Sequence, residues 1–519
     1  ISPHNKKKSW EHCVAKNSIL AALEAAAAAG PNPNPPSIGA TLKTHAANKP
    51  DQWAVTCMDE TRTWKELHRR TNRIARGLLA KGVKHGDYLT IALPNSVGFV
   101  EAFFAAWKIG AVPQPVSWRL PLAEMKAIAD LANSPIVVND TPLDIGRPVI
   151  SIAELHNASD DDSDLPDTIS PSWKAPTSGG STGRPKLIVA GTPGVTQEGG
   201  ALLWRIKPDD VVLMPGPLYH NGPLVTAFPA LMVGAQLVLM TKFDAEETLR
   251  LIDKHKATWI YLVPTMMSRI WKLPEEVRNK YDVSSLKTLW HLAAPCPAWL
   301  KEEWIAWLGP DVVWELYGGT EGVAATILDG NEWLAHKGSV GTIALGGEIE
   351  AFSPDGTMLP RGETGEIFMR LKEGMPDSYK YVGADKRALE GGWESIGDIG
   401  WLDKDGYLYL ADRRTDMILV GGANVYPAEV EAAIDEHPLV QSSCVIGIPD
   451  EDLGARVHAI VQPRDGLTQA DLEAHLADRL VRYKRPRSVE FVNTPLRDDA
   501  GKVRRSQLRE ERIAKTPSP

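Results

Sequence analysis

Short runs of β-branched and aliphatic residues alternate with amphipathic stretches along most of this chain, and this alternation limits its possible folds more than any other feature. Residues 63–82 place Leu67, Ile74 and Leu78 at helical spacing and end at Gly82, which predicts a helix. Residues 88–96 then indicate a strand, 97–110 a helix and 111–117 the next strand. Because strands joined by helices pair in parallel, the sequence predicts an α/β fold.

The sequence pattern changes after residue 340 from alternating strands and helices to short strand-like runs with tight turns. Asp-Gly pairs at 355–356 and 405–406 separate these runs and predict hairpins. From about residue 415 to the end, strand and helix patterns alternate again over short lengths. We therefore expect a helix and a Pro-rich linker over residues 1–40. A large domain of α/β sheet subdomains plus a β-rich subdomain follows over 41–412, and a small α+β domain over 413–519.

Composition excludes several functional classes. Lys and Arg total 57 against 66 Asp and Glu, and this net charge of −9 offers no electrostatic surface for nucleic acid. No apolar run reaches the roughly 18 residues that a membrane span requires. Four cysteines lie far apart without a CxxC pair, so neither a disulfide framework nor a structural zinc site is indicated. An Ala-rich run at 18–30, interrupted by Glu24, favours a helix over a signal peptide, so we expect a cytoplasmic protein.

The segment TSGGSTGRPK at 177–186 is the first candidate site. Glycines let backbone N–H groups approach phosphate oxygens, hydroxyls add hydrogen bonds and a lysine adds charge. The segment is not a Walker A loop, because Lys186 does not directly follow the final glycine, Gly183, and a proline intervenes. On its residues alone, a flexible Gly/Ser loop is an equal alternative. The candidate phosphate-binding residues are Thr177, Ser178, Gly179, Gly180, Ser181, Thr182, Gly183 and Lys186.

Three further segments carry polar groups at turns. YGGTEG at 317–322 follows a strand-like run, and the Glu321 carboxylate could hold Mg²⁺ beside a phosphate. Asp398 could accept both ribose hydroxyls, with Arg413 meeting ribose or phosphate. Lys502 lies on a tight turn near the C-terminus and could enter an active site. Taken singly, an ordinary turn, a salt-bridged hairpin and a solvated basic turn explain these segments as well.

Together, in this order and at these distances, the four segments resemble the adenylate-forming superfamily of acyl- and aryl-CoA synthetases, peptide-synthetase adenylation domains and beetle luciferases. The resemblance covers about residues 50–508 and is nearest to acyl- or aryl-CoA ligases. It implies a large N-terminal domain and a small C-terminal domain that rotates between half-reactions. It also implies ATP and Mg²⁺ as cofactors and coenzyme A as a co-substrate.

The resemblance assigns a role to each motif residue. Lys502 would bridge the acid and the α-phosphate, Thr320 would contact phosphate and Glu321 would hold Mg²⁺. Asp398 would bind the ribose, with Arg413 nearby. The remaining ATP-binding residues that it implies are Ala293, Ala294, Pro295, Tyr317, Gly318 and Gly319, together with the residues of the phosphate loop.

The chain departs from the family pattern at several positions. Gly180 and Ser181 stand where two threonines are common, and Leu187 replaces the following glycine, although Lys186 is kept. The hinge position is Thr415, where the family often has Asp or Lys. Gly421 and Gly422 resemble the loop that lines the thiol tunnel after rotation.

The segment PLYHNG at 217–222 resembles the acyl-pocket motif, in which His220 would be a gate between the acid and the thiol tunnel. It lacks the Asp with which amino-acid-activating relatives hold an α-ammonium group, and no carrier-protein domain is expected. Most other pocket candidates are bulky, which favours a compact cyclic or aromatic acid over a long straight chain. The acid-pocket candidates are His220, Asn221, Trp259, Val263, His291, Trp314 and Gly319.

The acceptor is the least constrained part of the reaction. The thiol of coenzyme A is the default partner of a small carboxylic acid in this superfamily. An amine acceptor in a stand-alone amide synthetase is the alternative, and a luciferase-like oxygenase or a nucleotide-binding pseudoenzyme is less favoured. Lys502, Glu321, Asp398 and Arg413 are all present, which argues against the pseudoenzyme.

Overall fold

The structure is a computed structural model that describes residues 21, 34–179, 185–196, 198–345, 347–413, 416–420, 423–450, 452–498 and 501–515. Most of the expected helix and linker at 1–40 lies outside these residues. The α/β architecture with a large body and a small C-terminal domain, predicted from the sequence, is confirmed. No helix in the described part of the chain is long and apolar enough to cross a membrane.

A nine-stranded sheet forms the centre of the large domain. Six adjacent strands in its middle pair in parallel and are covered by helices, as the strand–helix alternation predicts, whereas the outer strands pair antiparallel. In spatial order the strands are Thr342–Leu345, Ala325–Asp329, Val313–Gly318, Thr288–His291, Trp259–Leu262, Val211–Met214, Gln236–Leu239, Trp53–Cys57 and Glu60–Thr63.

A parallel four-stranded sheet lies at the N-terminal side, with the strand order Val112–Pro115, Tyr88–Ile91, Val137–Val138 and Val149–Ile150. The helix predicted at 63–82 is Trp64–Ala80, and Thr63 and Glu66 form a capping box at its start. Its buried residues include Leu67, Ile74 and Leu78, the apolar stripe seen in the sequence. One continuous hydrophobic core joins this region to the central sheet.

The β-rich subdomain predicted after residue 340 is a six-stranded antiparallel sheet. Its strands are Ala388–Leu389, Trp393–Glu394, Gly365–Leu371, Asp398–Leu402 and Leu408–Arg413, with Gly347–Phe352 paired to the third. The Asp-Gly pair at 405–406 closes the predicted hairpin, and the amide of Gly406 donates to Asp403 O at 3.1 Å. A separate three-stranded sheet joins Tyr379–Val382, Pro185–Ala190 and Thr177–Gly179.

The small C-terminal part has hydrophobic clusters of its own, built from residues after position 417. The hairpin Ile418–Val420 and Ala423–Val425 precedes a three-stranded sheet of Val440–Asp450, Gly454–Pro463 and Ser488–Phe491. The expected boundary between residues 412 and 413 stays a prediction.

The described helices are mostly amphipathic or buried segments that cover the sheets. In chain order they are Ile38–Asn48, Trp64–Ala80, Val97–Lys108, Leu122–Leu131, Ile152–Asn157, Glu198–Leu203, Asn221–Val233, Ala245–His255, Pro264–Trp271, Glu275–Arg278, Ala298–Leu308, Gly330–Ala335, Pro427–Asp435, Gln469–Ala477 and Arg505–Lys515, with a 3₁₀ turn at Arg482–Lys484.

Side chains of the large domain hold the small one in the arrangement described. The ammonium of Lys272 donates to the carbonyls of Asp435 at 2.9 Å and Val440 at 2.7 Å. The guanidinium of Arg464 donates in return to Lys272 O at 3.3 Å. These contacts fix which face of the small domain meets the large one.

Candidate active site

The phosphate-loop candidate spans two antiparallel strands, Thr177–Gly179 and Pro185–Ala190. Residues 180–184, which include the candidates Gly180, Ser181, Thr182 and Gly183, lie outside the described residues. The hydroxyl of Thr177 accepts a hydrogen bond from the Gln114 amide at 2.9 Å. Lys186 pairs in register with Ser178, so the two ends of the loop are held side by side.

Lys186 and Glu321, from two different candidate motifs, lie close together. The Lys186 ammonium lies 3.9 Å from Glu321 Oε1 and 3.8 Å from the centre of the Tyr381 ring. The Tyr381 hydroxyl donates to the same carboxylate oxygen at 2.6 Å, and burial with this bond raises the Tyr381 pKa. Glu321 is only 8% exposed, so its charge acts in a weakly screened setting.

A cavity of about 10 Å³ lies beside Glu321, lined also by Gly319 and Glu394. It is about the size of one water or small ion. Within the described residues no cluster of three or more His, Cys, Asp or Glu side chains could hold a metal on its own. The carboxylates of Glu321 and Glu394 at this cavity fit Mg²⁺, which proteins commonly hold by one or two carboxylates together with substrate phosphates.

Tyr317 and Asp398, both ATP-binding candidates, contact each other. The Tyr317 hydroxyl donates to Asp398 Oδ2 at 2.7 Å, and Asp398 is 8% exposed. Asp398 pairs with Arg413 across the two strands. The side chain of Arg413 lies outside the described residues. Ala293 has a φ of 78°, a conformation that is strained for an alanine and occurs preferentially at functional turns.

The described residues of the Lys502 turn, Asp498, Gly501 and Lys502, lie against the candidate acid pocket of the large domain. The amide of Lys502 donates to Asp498 Oδ1 at 2.8 Å, and the Asp498 amide donates to Lys502 O at 2.8 Å. A Cβ built on Gly501 would lie 2.9 Å from Thr265 Oγ1 and 3.2 Å from Val263 Cγ2, so only a glycine fits this approach. The turn is therefore packed directly against the candidate acid pocket.

His220 stands at the same junction. Its Nε2 lies 4.0 Å from Asp498 Oδ2. Burial, together with the positive charge of Lys502, lowers the pKa of His220 to about 3, so the ring is neutral at neutral pH. A neutral ring beside the turn is compatible with a gate that does not add a competing positive charge.

The helix that follows His220 begins very close to the central sheet. A Cβ at Gly222 would lie 2.5 Å from the Tyr261 hydroxyl oxygen, so the side-chain-free residue permits the contact. Asn221, the first residue of this helix, accepts a hydrogen bond from the ammonium of Lys174. Lys174 is a residue that the motif analysis missed.

The tryptophan candidates Trp259 and Trp314 are fully buried on the face of the sheet that also carries Trp290. The indoles of Trp259 and Trp290 donate to Trp204 O at 2.7 and 3.1 Å, and the rings of Trp290 and Trp314 lie 5.5 Å apart. The Arg205 guanidinium also lies over the Trp314 ring, with its central carbon 4.4 Å from the ring centre. This face is thus filled by aromatic rings whose indole N–H groups are satisfied.

His291 lies on the opposite face from these rings. It pairs in register with Glu315, and its Nδ1 lies 3.9 Å from Glu315 Oε1, while Lys301 binds the other oxygen of that carboxylate. Because successive strand residues point to opposite faces, His291 does not meet Trp290 or Trp314. Burial and the Lys301 charge hold the His291 pKa well below its usual value.

The structure therefore groups some candidates and not others. It brings Lys186 to Glu321, Tyr317 to Asp398, and the Lys502 turn to His220 and Val263. It does not bring His291 to the tryptophans. The candidates Thr415, Gly421 and Gly422 lie outside the described residues, and no side-chain contact of Ser178 or Gly179 is described.

Known proteins resemble this chain over nearly its whole length. A family model described as AMP-binding enzyme matches residues 42–378, and one described as AMP-binding enzyme C-terminal domain matches 429–502. A feruloyl-CoA synthase from an Amycolatopsis species is 32% identical over 495 residues, which are 91% of this chain and 98% of that protein. A long-chain-fatty-acid–CoA ligase from Mycobacterium tuberculosis is 30% identical over 510 residues, 93% and 99% of the two chains.

Solved structures of the o-succinylbenzoate CoA synthetase of Bacillus subtilis are similar as well. The complex with its acyl-adenylate intermediate has a TM-score of 0.77 and 26% identity, covering 92% of this chain and 98% of that one. The complex with ATP and a magnesium ion has a TM-score of 0.75 and 27% identity, covering 90% and 98%.

Proposed function

Because the chain belongs to the AMP-binding enzyme family, we propose that it activates a carboxylic acid with ATP and transfers the acyl group to coenzyme A. It is an ATP-dependent, AMP-forming ligase. The observation that supports the proposal most is the contact of Lys186 with Glu321; the contacts of Tyr317 with Asp398 and of His220 with Asp498 of the Lys502 turn add to it.

The chemistry needs groups of these kinds. A carboxylate is a poor acyl donor, because displacement by a thiol would have to expel oxide. Attack of a carboxylate oxygen on the α-phosphorus of ATP expels pyrophosphate and leaves an acyl-adenylate, whose AMP is a good leaving group. Both reactants are anions, so the site must supply positive charge. The attraction between this charge and the reacting oxygens must be stronger in the transition state than in the bound reactants.

The residues divide this work between them. We assign Lys502 to the reacting carboxylate and α-phosphate, and Lys186 and Thr320 to phosphate oxygens. Asp398, oriented by Tyr317, would accept the ribose hydroxyls. Glu321 would hold Mg²⁺, which neutralises phosphate charge when bound. The phosphate-loop, adenine-side, hinge and tunnel assignments made from the sequence stand as parts of the same proposal.

The acid is proposed to be compact and cyclic or aromatic. The support is the aromatic filling of one sheet face, on which Trp259, Trp290 and Trp314 are fully buried and Tyr261 meets Gly222 of the helix that follows His220. Bulky rings at that face leave less room for a long straight chain. Coenzyme A is preferred over an amine because the relatives reported above are named as CoA ligases or synthetases. A cytoplasmic setting without a nucleic-acid partner belongs to this proposal too.

A product screen tests the proposal. The purified protein is incubated with MgATP and a panel of carboxylic acids, and pyrophosphate release is measured. Positive acids are then supplied with coenzyme A alone or with amines alone, and products are identified by mass spectrometry. We expect pyrophosphate release with a cyclic or aromatic acid and a thioester only with coenzyme A. Amide without thioester would overturn the acceptor, and preference for long-chain acids would overturn the acid class.

A further inference from the structure

Lys174 is a buried cation that no motif assigns. Its residue is 5% exposed, and among the described residues its one hydrogen-bond acceptor is the side-chain oxygen of Asn221. An ammonium group has three donors; the neutral Asn221 amide accepts one, and the Trp173 ring, whose centre lies 5.0 Å from the ammonium, compensates its charge only in part. Burying such a charge without an anionic partner costs several kcal/mol, so its retention calls for an explanation.

Backbone pairing places Lys174 on the phosphate-loop face. Ala190 N donates to Lys174 O at 3.1 Å, and Ile188 N donates to Pro176 O at 2.9 Å, so the extended pairing continues from the loop strands. Side chains alternate along an extended segment, which puts positions 174, 176 and 178 on one face. Position 178 pairs with Lys186, so Lys174 shares the face of the lysine that meets Glu321.

The surroundings of Lys174 join the two halves of the site. Its partner Asn221 lies directly after His220, which faces Asp498 of the Lys502 turn. Glu321 is near enough that its negative charge opposes, in part, the lowering of the Lys174 pKa by burial. Lys174 is thus hydrogen-bonded to the residue next to the acid gate, and it shares the face of Lys186, which meets the candidate metal carboxylate.

We propose that Lys174 is an anion-binding residue of the adenylation site, whose ammonium contacts an anionic oxygen of the reactants, either the acid's carboxylate or a phosphate of ATP. The inference rests on the proposed function. The Asn221 amide orients the ammonium before substrate arrives, and the bound anion supplies the missing charge. Burial lowers the Lys174 pKa to about 7, and a bound anion would favour its charged form.

The test replaces the charge and keeps the volume. Lys174→Met removes a buried cation that lacks an anionic partner in the described structure, so the midpoint of thermal unfolding should stay level or rise. The same variant should lose about 10- to 100-fold in kcat/KM for acid-dependent pyrophosphate release, the size expected for one hydrogen bond to a charged group. Lys65→Met, at an exposed lysine of a distant helix, is the matched control and should match wild type.

Two titrations separate the sources of the anion. Calorimetric titration with MgATP gives its Kd, and the rate assay gives the KM of the best acid in the panel. A weaker MgATP Kd at unchanged acid KM assigns the contact to phosphate, and the reverse assigns it to the carboxylate. Lys174→Gln repeats both measurements in case the Met variant fails to fold.

Two results would overturn the proposal. One is a MgATP Kd and an acid KM that both stay within twofold of wild type in the variants. The other is an Asn221→Ala variant that reproduces the whole loss with no additional effect of Lys174→Met, because Lys174 would then act only through the amide. Absence of pyrophosphate release by the wild type would instead contradict the proposed function, and the MgATP titration alone would then decide the role of Lys174.

Discussion

The contact of Lys272 with the small domain predicts how the domain arrangement can be biased. Lys272→Met removes two hydrogen bonds from an ammonium to the carbonyls of Asp435 and Val440 and keeps the apolar stem. Neither carbonyl belongs to a residue of the proposed chemistry. A change in rate would therefore report on the arrangement of the domains.

The expected size follows from two opposing contributions. Two hydrogen bonds from a charged donor contribute about 3–6 kcal/mol together. Burial lowers the Lys272 pKa from 10.5 to about 8, and this difference corresponds to a cost of about 3 kcal/mol for keeping the group charged. Subtracting this cost from the hydrogen-bond contribution leaves a net stabilisation of about 0–3 kcal/mol. Its midpoint, about 1.5 kcal/mol, corresponds to roughly a tenfold change in the equilibrium between domain orientations.

The assay measures the two half-reactions separately. In a rapid-quench experiment we expect the adenylation rate of Lys272→Met to fall by about three- to tenfold. Thioester formation from a supplied acyl-adenylate should be unchanged or faster, because that step needs the rotated domain. Lys256→Met is the control, since Lys256 pairs with Asp253 and Asp282 within the large domain. Equal slowing of both half-reactions, or an effect of the same size in the control, would refute the reasoning.

Three further predictions concern the site itself. Lys502→Ala should abolish adenylation and largely spare thioester formation from a supplied acyl-adenylate; equal loss in both, measured by product formation, would contradict the assigned role. Tyr317→Phe removes the 2.7 Å hydrogen bond to Asp398 and should raise the KM for ATP by about three- to tenfold without changing the KM for the acid. The lowered pKa of His220 means that the unfolded chain binds more protons between about pH 3 and 6.5, so His220 makes stability rise with pH in that window and adds nothing above it. His220→Gln should flatten that part of the curve of unfolding midpoint against pH, and an unchanged curve would argue against a buried neutral ring.

The sequence predicted those parts of the site in which one residue type is needed at one backbone position. A Gly-rich turn after a strand placed Glu321, and the positions of Lys186, Asp398 and Lys502 followed from their motifs. The α/β alternation and the hairpin at 405–406 could also be predicted from the sequence, because the spacing of apolar residues and the residue types at a turn are local properties.

Side-chain partnerships between distant segments could not be predicted in the same way. Tyr381 meets Glu321 across 60 positions, and Lys174 meets Asn221 across 47. The segment PSWKAP that leads to the phosphate loop has no apolar run or alternation, so no local pattern marked Lys174. The sequence groups His291 and Trp314 as bulky acid-pocket candidates, whereas strand register sends them to opposite faces.

Isotope transfer from the acid to AMP tests the central claim most directly. The best acid of the panel is labelled with oxygen-18 in its carboxylate and converted with MgATP and coenzyme A, and the products are weighed by mass spectrometry. Attack on the α-phosphorus followed by thioester formation predicts AMP that carries one labelled oxygen and pyrophosphate that carries none. Formation of ADP with label in inorganic phosphate, or AMP without label, would contradict the acyl-adenylate.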